Sequence, residues 1–183
     1  MYAAAGLAVI VIAGTATVVA IQGGGPAGPM HQIVTPQQIG GYAQAPALAA
    51  SMKATQVRHS IVAQSNGEAS NVVAAVYESG AAQPGAAQSD SIVLFIGGNL
   101  SGTSANTFIT SFIGKLPGAA TTSAGPLGGE AACVPGTGGN PAECAWADDD
   151  TFGLLASPTL NARALASELR QMRLQVEQRV RQR

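Results

Sequence analysis

Cys133 and Cys144 are the residues of this chain best suited to covalent chemistry. The insert between them carries Pro135, Gly136, Gly138, Gly139, Asn140 and Pro141, all turn formers, and its flanks are strand-like. Thiols on adjacent strands of a hairpin come within disulfide reach, and closing so short a loop stabilises a fold by roughly 3 kcal/mol. The residues also leave open two free buried thiols or a metal. A metal needs more ligands than two sulfurs, however, and neither His31 nor His59 is near in sequence. A disulfide is therefore the expectation. It requires an oxidising compartment, which places the domain outside the cytoplasm.

The remaining reactive types form weaker patterns. Asp148, Asp149 and Asp150 are contiguous and run into Thr151 and Phe152, whereas a calcium loop alternates acids with spacers before a glycine. A charged turn or exposed strand segment is expected there, and no metal site. Gly97 to Gly102 could offer backbone amides to an anion at a strand-to-helix junction, but the phosphate-loop lysine is missing. No nucleophile-elbow pattern surrounds any serine, and His31 and His59 stand alone. No catalytic residue and no cofactor are expected.

Arg163, Arg170, Arg173, Arg179, Arg181 and Arg183 gather most of the basic charge near the end of the sequence. Late arginines complement a helix dipole. The sharper alternative is that Arg179, Arg181 and Arg183 touch anionic lipid headgroups or a cell-wall polyanion.

These residues need elements to hold them. His31 to Pro36 reads as a short extended edge, and Ile39-Gly40-Gly41-Tyr42 as a turn with two hydrophobic anchors. From Ala45 to Gln64, Leu48, Met52, Val57, Ile61 and Val62 fall near one stripe and predict an amphipathic helix. Val72 to Glu78 and Ser91 to Gly97 predict strands, the second central because its apolar run is unbroken. Ser104 to Leu116 predicts a helix with Phe108, Ile109, Phe112 and Ile113 inward. Gly125 to Val134 and Ala142 to Ala156 predict the arms of the cysteine hairpin. Leu160 to Val180 predicts the last helix, on the spacing of Leu165, Leu169, Met172, Val176 and Val180, with Ser157 or Thr159 as its cap. The predicted fold is α+β, a mostly antiparallel sheet of about five strands with helices packed on one face.

Ahead of this domain, Ala3 to Ile21 carries no charge and no strongly polar side chain. A helix of that length spans roughly 28 Å, near the hydrocarbon thickness of a bilayer. A single-pass N-terminal transmembrane helix in residues 1–21 is expected. A cleaved signal peptide, with Gly14-Thr15-Ala16 as its processing site, and a buried soluble helix are the alternatives. Only Met1 and Tyr2 precede the run, so the basic residues usual at that position are expected upstream. Residues 22–30 form a Gly/Pro-rich linker, and residues 31–183 the extracytoplasmic domain. Charge is sparse and the net value is −1, which argues against nucleic acid as a partner.

Ile39-Gly40-Gly41-Tyr42, then Cys144-Ala145-Trp146-Ala147-Asp148 running into Thr151-Phe152-Gly153, resembles a group of uncharacterised actinobacterial membrane-anchored proteins. The resemblance implies one N-terminal transmembrane helix, a Pro/Gly-rich spacer and an exported Cys-x-Trp-x-Asp domain, and transfers no activity. On spacing alone Trp146 shares a strand face with Cys144, so its ring is expected against the disulfide. The functional expectation is a membrane-anchored, non-catalytic binding or scaffolding protein of the envelope. Its expected partners are the bilayer, through residues 3–21, and an envelope protein or anionic polymer. A small-ligand sensor or enzyme accessory domain is the alternative, and would need a deep apolar pocket.

Overall fold

The computed structural model describes residues 30–80 and 91–180. Strand β1 (His31–Ile33) is followed by a tight hairpin of β2 (Gln38–Ile39) and β3 (Tyr42–Gln44), then α1 (Pro46–Ser51) and α2 (Ala54–Gln64). Strands β4 (Ala69–Ser79) and β5 (Ile92–Leu100) lead to α3 (Ala105–Lys115). Then come β6 (Ala120–Thr122), β7 (Glu130–Val134), β8 (Ala142–Ala147) and β9 (Thr151–Ser157). Helix α4 (Ala162–Val176) passes directly into β10 (Glu177–Arg179). Eight strands form one antiparallel sheet in the order β2-β3-β4-β5-β9-β8-β7-β6, while β1 and β10 pair as a separate ribbon.

The α+β class holds, but the expected five strands on one helical layer do not. The sheet is larger for three reasons. The turn at Ile39–Tyr42 is a hairpin, Ala120–Thr122 adds an edge, and the acidic triplet splits the second hairpin arm into β8 and β9. Helices cover both faces. On one, α4 and β1 pack over Tyr77, Phe95, Cys133, Cys144, Trp146 and Leu155. On the other, α1, α2 and α3 pack over Val72, Val76, Leu94, Ile96, Ala145 and Phe152. The unbroken apolar run of β5 is central, as predicted, and alternates between the two cores: Val93 and Phe95 in one, Leu94 and Ile96 in the other. A strand buried on both faces has no polar side to show.

Among the described residues no helix is long and apolar enough to cross a membrane. The transmembrane helix expected in residues 3–21 lies outside the described residues, as does most of the linker.

Two helices also differ from expectation. The segment from Ala45 to Gln64 breaks at Lys53, which is left-handed at φ 55°. Leu48 to Met52 and Val57 to Ile61 are steps of four, but Met52 to Val57 is a step of five. One straight helix would rotate the second pair off the sheet, and the break realigns it. At α4 the cap is Asn161, whose side chain accepts from the Ala164 amide at 2.9 Å, rather than Ser157 or Thr159. Leu165, Leu169, Met172 and Val176 are buried as the spacing required, while Val180 lies past the helix and is exposed. In α3, Phe108, Ile109 and Phe112 are buried; the side chain of Ile113 lies outside the described residues.

Candidate functional site

Cys133 and Cys144 are direct cross-strand partners in the β7–β8 ladder and form a disulfide. Both are buried beneath α4. Trp146, two residues further along β8, shares that core, and its ring stacks on Phe95 at 5.9 Å between centroids and 8° between planes. Its cross-strand partner is Gly153. A Cβ there would fall on the indole itself, so the glycine is the space the ring occupies.

The acidic triplet is the β8–β9 turn. Asp148 closes it: its Oδ1 accepts from the amides of Asp150 (3.1 Å) and Thr151 (2.7 Å) and from the Thr151 hydroxyl (2.9 Å). Its Oδ2 receives Nη2 of Arg173 at 2.6 Å. Burial works against the charged carboxylate, but the two amides, the hydroxyl and the Arg173 charge outweigh it and hold Asp148 below the ordinary range.

Arg173 is 1% exposed and fully engaged. Nε donates to Glu177 at 2.7 Å, Nη1 to the carbonyls of Gly128 (2.6 Å) and Ala124 (3.2 Å), and the guanidinium lies 5.8 Å from the Trp146 ring centroid. The two carboxylates share this cation unequally. Burial raises Glu177 above the ordinary range, Arg173 only partly offsets that, and the neighbouring charge of Asp148 adds to it. Arg173 lies in the last turn of α4, where the helix-dipole reading puts it, and it adds an internal pairing role that the sequence did not show. The helix-dipole reading fails for Arg179, which lies in β10 and not in a helix. The missed signal is positional: Arg173 and Glu177 each directly follow a buried stripe residue, Met172 and Val176, and stand four apart.

Asp150 leaves the same turn in another direction. Its Oδ2 accepts from the His31 amide at 2.8 Å and its Oδ1 lies 3.1 Å from His31 Nδ1. Asn99 Nδ2 donates to the carbonyls of His31 (2.7 Å) and Asp150 (3.2 Å), and Asn71 donates to Asn99 Oδ1 at 3.1 Å. The structure thus joins His31 to an acid that the sequence reading left separate. Asn99 belongs to β5, so the glycine-rich stretch from Gly97 begins inside a strand instead of forming a loop. A Cβ on Gly97 would meet the Phe152 carbonyl oxygen at 2.8 Å and Ile33 Cγ2 at 3.1 Å, which is why β1 can lie close on the sheet there.

His59 is exposed on α2, where Arg58 Nη2 donates to its Nε2 at 2.9 Å. It lines an open depression with Lys53, Thr55 and Gln56. Beneath α2 and α3 an apolar crease of about 30 Å³ is lined by Ile61, Phe108, Phe112 and Phe152, with Gln64 and Glu68 beside it. Among the described residues no group of three or more His, Cys, Asp or Glu could hold a metal. Of the candidate polyanion contacts, Arg179 is exposed at the end of β10, and Arg181 and Arg183 lie outside the described residues. Compared with known protein families, with curated proteins and with solved structures, the chain matches none.

Proposed function

We propose that this chain is an envelope protein whose domain works outside the cytoplasm as a non-catalytic binding or scaffolding module, attached to a lipid bilayer through the apolar residues 3–21. The observation that carries the reading is the buried Cys133–Cys144 disulfide between β7 and β8. A cross-link of this kind persists where thiols are not kept reduced. The apolar composition of residues 3–21 supplies the affinity for lipid. The polar side chains brought together in the domain bond one another, which suits a rigid module. The same proposal places the chain among the actinobacterial anchored proteins that its Cys-x-Trp-x-Asp stretch resembles. A small-ligand sensor is the less favoured reading, because the apolar crease under α2 and α3 holds only about 30 Å³, and the roomier depression at His59, about 400 Å³, is open to solvent and lined largely by polar side chains.

Cell fractionation combined with thiol labelling tests this. The full-length chain should stay with membranes after alkaline washing, and Cys133 and Cys144 should label only after reduction under denaturing conditions. Recovery in the soluble cytosolic fraction with both thiols free would overturn it.

A further inference from the structure

Asn66 and Gly67 form the exposed tip of the turn between α2 and β4. The Glu68 amide closes this turn by donating to the Ser65 carbonyl at 2.9 Å. Asn66 is left-handed at φ 50° and Gly67 has φ 88°. Among the described residues no group bonds the Asn66 side chain or accepts from the Gly67 amide. A Cβ built on Gly67 would meet nothing within 4 Å. A carboxamide and the backbone nitrogen that follows it are therefore both unpaired and open to water, with no side chain on the second residue to shield them. The chain has six asparagines, and the other five each lack one of these features. Asn71 donates to Asn99, and they are followed by Val72 and Leu100 rather than glycine. The Asn161 side chain is taken up in capping α4. After Asn106 the Thr107 amide donates to Ser104 Oγ, and after Asn140 comes Pro141, which has no amide proton.

We propose that Asn66 is a site of spontaneous modification, at which the Gly67 nitrogen closes on the side chain and converts it to a mixture of aspartate and isoaspartate. The nitrogen gives up its proton to water and bonds to Asn66 Cγ. The Cγ–Nδ2 bond breaks, and ammonia leaves after taking up a proton. Water then opens the cyclic imide at either carbonyl. Cleavage between Cγ and the nitrogen restores the backbone and leaves aspartate. Cleavage between the backbone carbonyl carbon and the nitrogen reroutes the chain through Cγ and leaves isoaspartate. Water is the only co-reactant, and nothing is oxidised or reduced. Ring closure requires rotation away from the left-handed conformation of Asn66. The bond given up is that from Glu68 to Ser65, at an exposed helix end where such bonds open readily. The product carries a carboxylate just past Gln64, the last residue of α2, where the helix dipole is negative, and two residues from Glu68. Isoaspartate also lengthens the backbone of the turn. Both changes loosen the junction between α2 and β4.

The test incubates the full-length chain in mild detergent and mildly alkaline heavy-oxygen water, then maps its peptides by mass spectrometry. Aspartate and isoaspartate carrying heavy oxygen should accumulate at Asn66 several-fold faster than acid forms at any other asparagine. G67A should slow the conversion several-fold. N66Q, which leaves Gly67 in place but would have to close a larger ring, should abolish it at that position. N66D, the product with the normal backbone, should speed hydrogen exchange at the Glu68 amide, and an unchanged rate would overturn the loosening of the turn. An Asn66 that stays intact in the folded chain, whether or not it converts in urea, would overturn the proposal, as would equally fast conversion at Asn71 or Asn140.

Discussion

Substituting Arg173 by methionine keeps most of the side-chain volume and removes the cation that the end of α4 is built around. In the native chain that guanidinium makes four hydrogen bonds, two to carboxylates and two to carbonyls. Without it, Glu177 keeps no cationic partner at 8% exposure, and the carbonyls of Ala124 and Gly128 lose their donor. Breaking a buried pair from one side costs about 3–5 kcal/mol, because the charge left behind has neither water nor a counterion. That is a large share of the ~5–15 kcal/mol available to a domain of this size. Urea unfolding of the full-length chain in mild detergent, followed through its single tryptophan, measures the loss directly, since Trp146 is fully buried and in contact with Arg173. The double variant R173M/E177L should recover at least half of the loss, because the stranded carboxylate goes with its cation. The deficit of R173M should also shrink in acid. Asp148 titrates below the ordinary range when folded, so its contribution exists above the unfolded pKa and disappears as pH falls through the folded one. A loss below about 1 kcal/mol for R173M, with unchanged m-value, would refute the assignment of this network as a structural clamp.

Glu143 gives the clearest pH signature. Burial on β8 raises its pKa from 4.5 to about 7, so its contribution is fully present below the ordinary carboxylate range and lost as pH rises through about 7. E143Q should therefore flatten the decline in melting temperature on the alkaline side, gaining about 1–2 kcal/mol there once partial exposure is allowed for. G153A puts a methyl group on the Trp146 ring and should lower stability by about 1–3 kcal/mol, with a shifted tryptophan emission maximum as the companion readout. C133A/C144A should lower stability by about 3 kcal/mol in the same urea assay, and reductant should then have no further effect.

The parts legible in the sequence were those set by one strong periodicity or one local chemistry. The stripe of Leu165, Leu169, Met172 and Val176 sufficed to place α4 against a core, and the turn formers between Cys133 and Cys144 sufficed to pair them. The second helical layer was less legible, although its sign was present. An apolar run such as Ile92 to Ile96 cannot face solvent on either side, and two covered faces follow from that. Short strands such as β2, β3 and β6 escaped because two or three residues hold no period, and their pairing is decided by the neighbouring strand. The polar contacts escaped for a further reason. His31 and Asp150 lie 119 residues apart, and Arg173 and Asp148 lie 25 apart, so only the assembled topology makes them neighbours.

Both of those contacts end on a single turn. Asp148 and Asp150, two residues apart in the β8–β9 connection, hold α4 through Arg173 and β1 through His31. Strand β1 in turn pairs with β10, whose first residue, Glu177, is the other carboxylate on Arg173. The three contacts close a ring through turn, helix end and ribbon, so neither end of the domain can fray without loosening the other. The glycines make the ring possible. Gly97 lets β1 descend onto the sheet, and Gly153 admits the indole on which the guanidinium rests. A turn of three acids, which in isolation reads as a solvated surface feature, becomes the point where the beginning and end of the fold are fastened to its central strands.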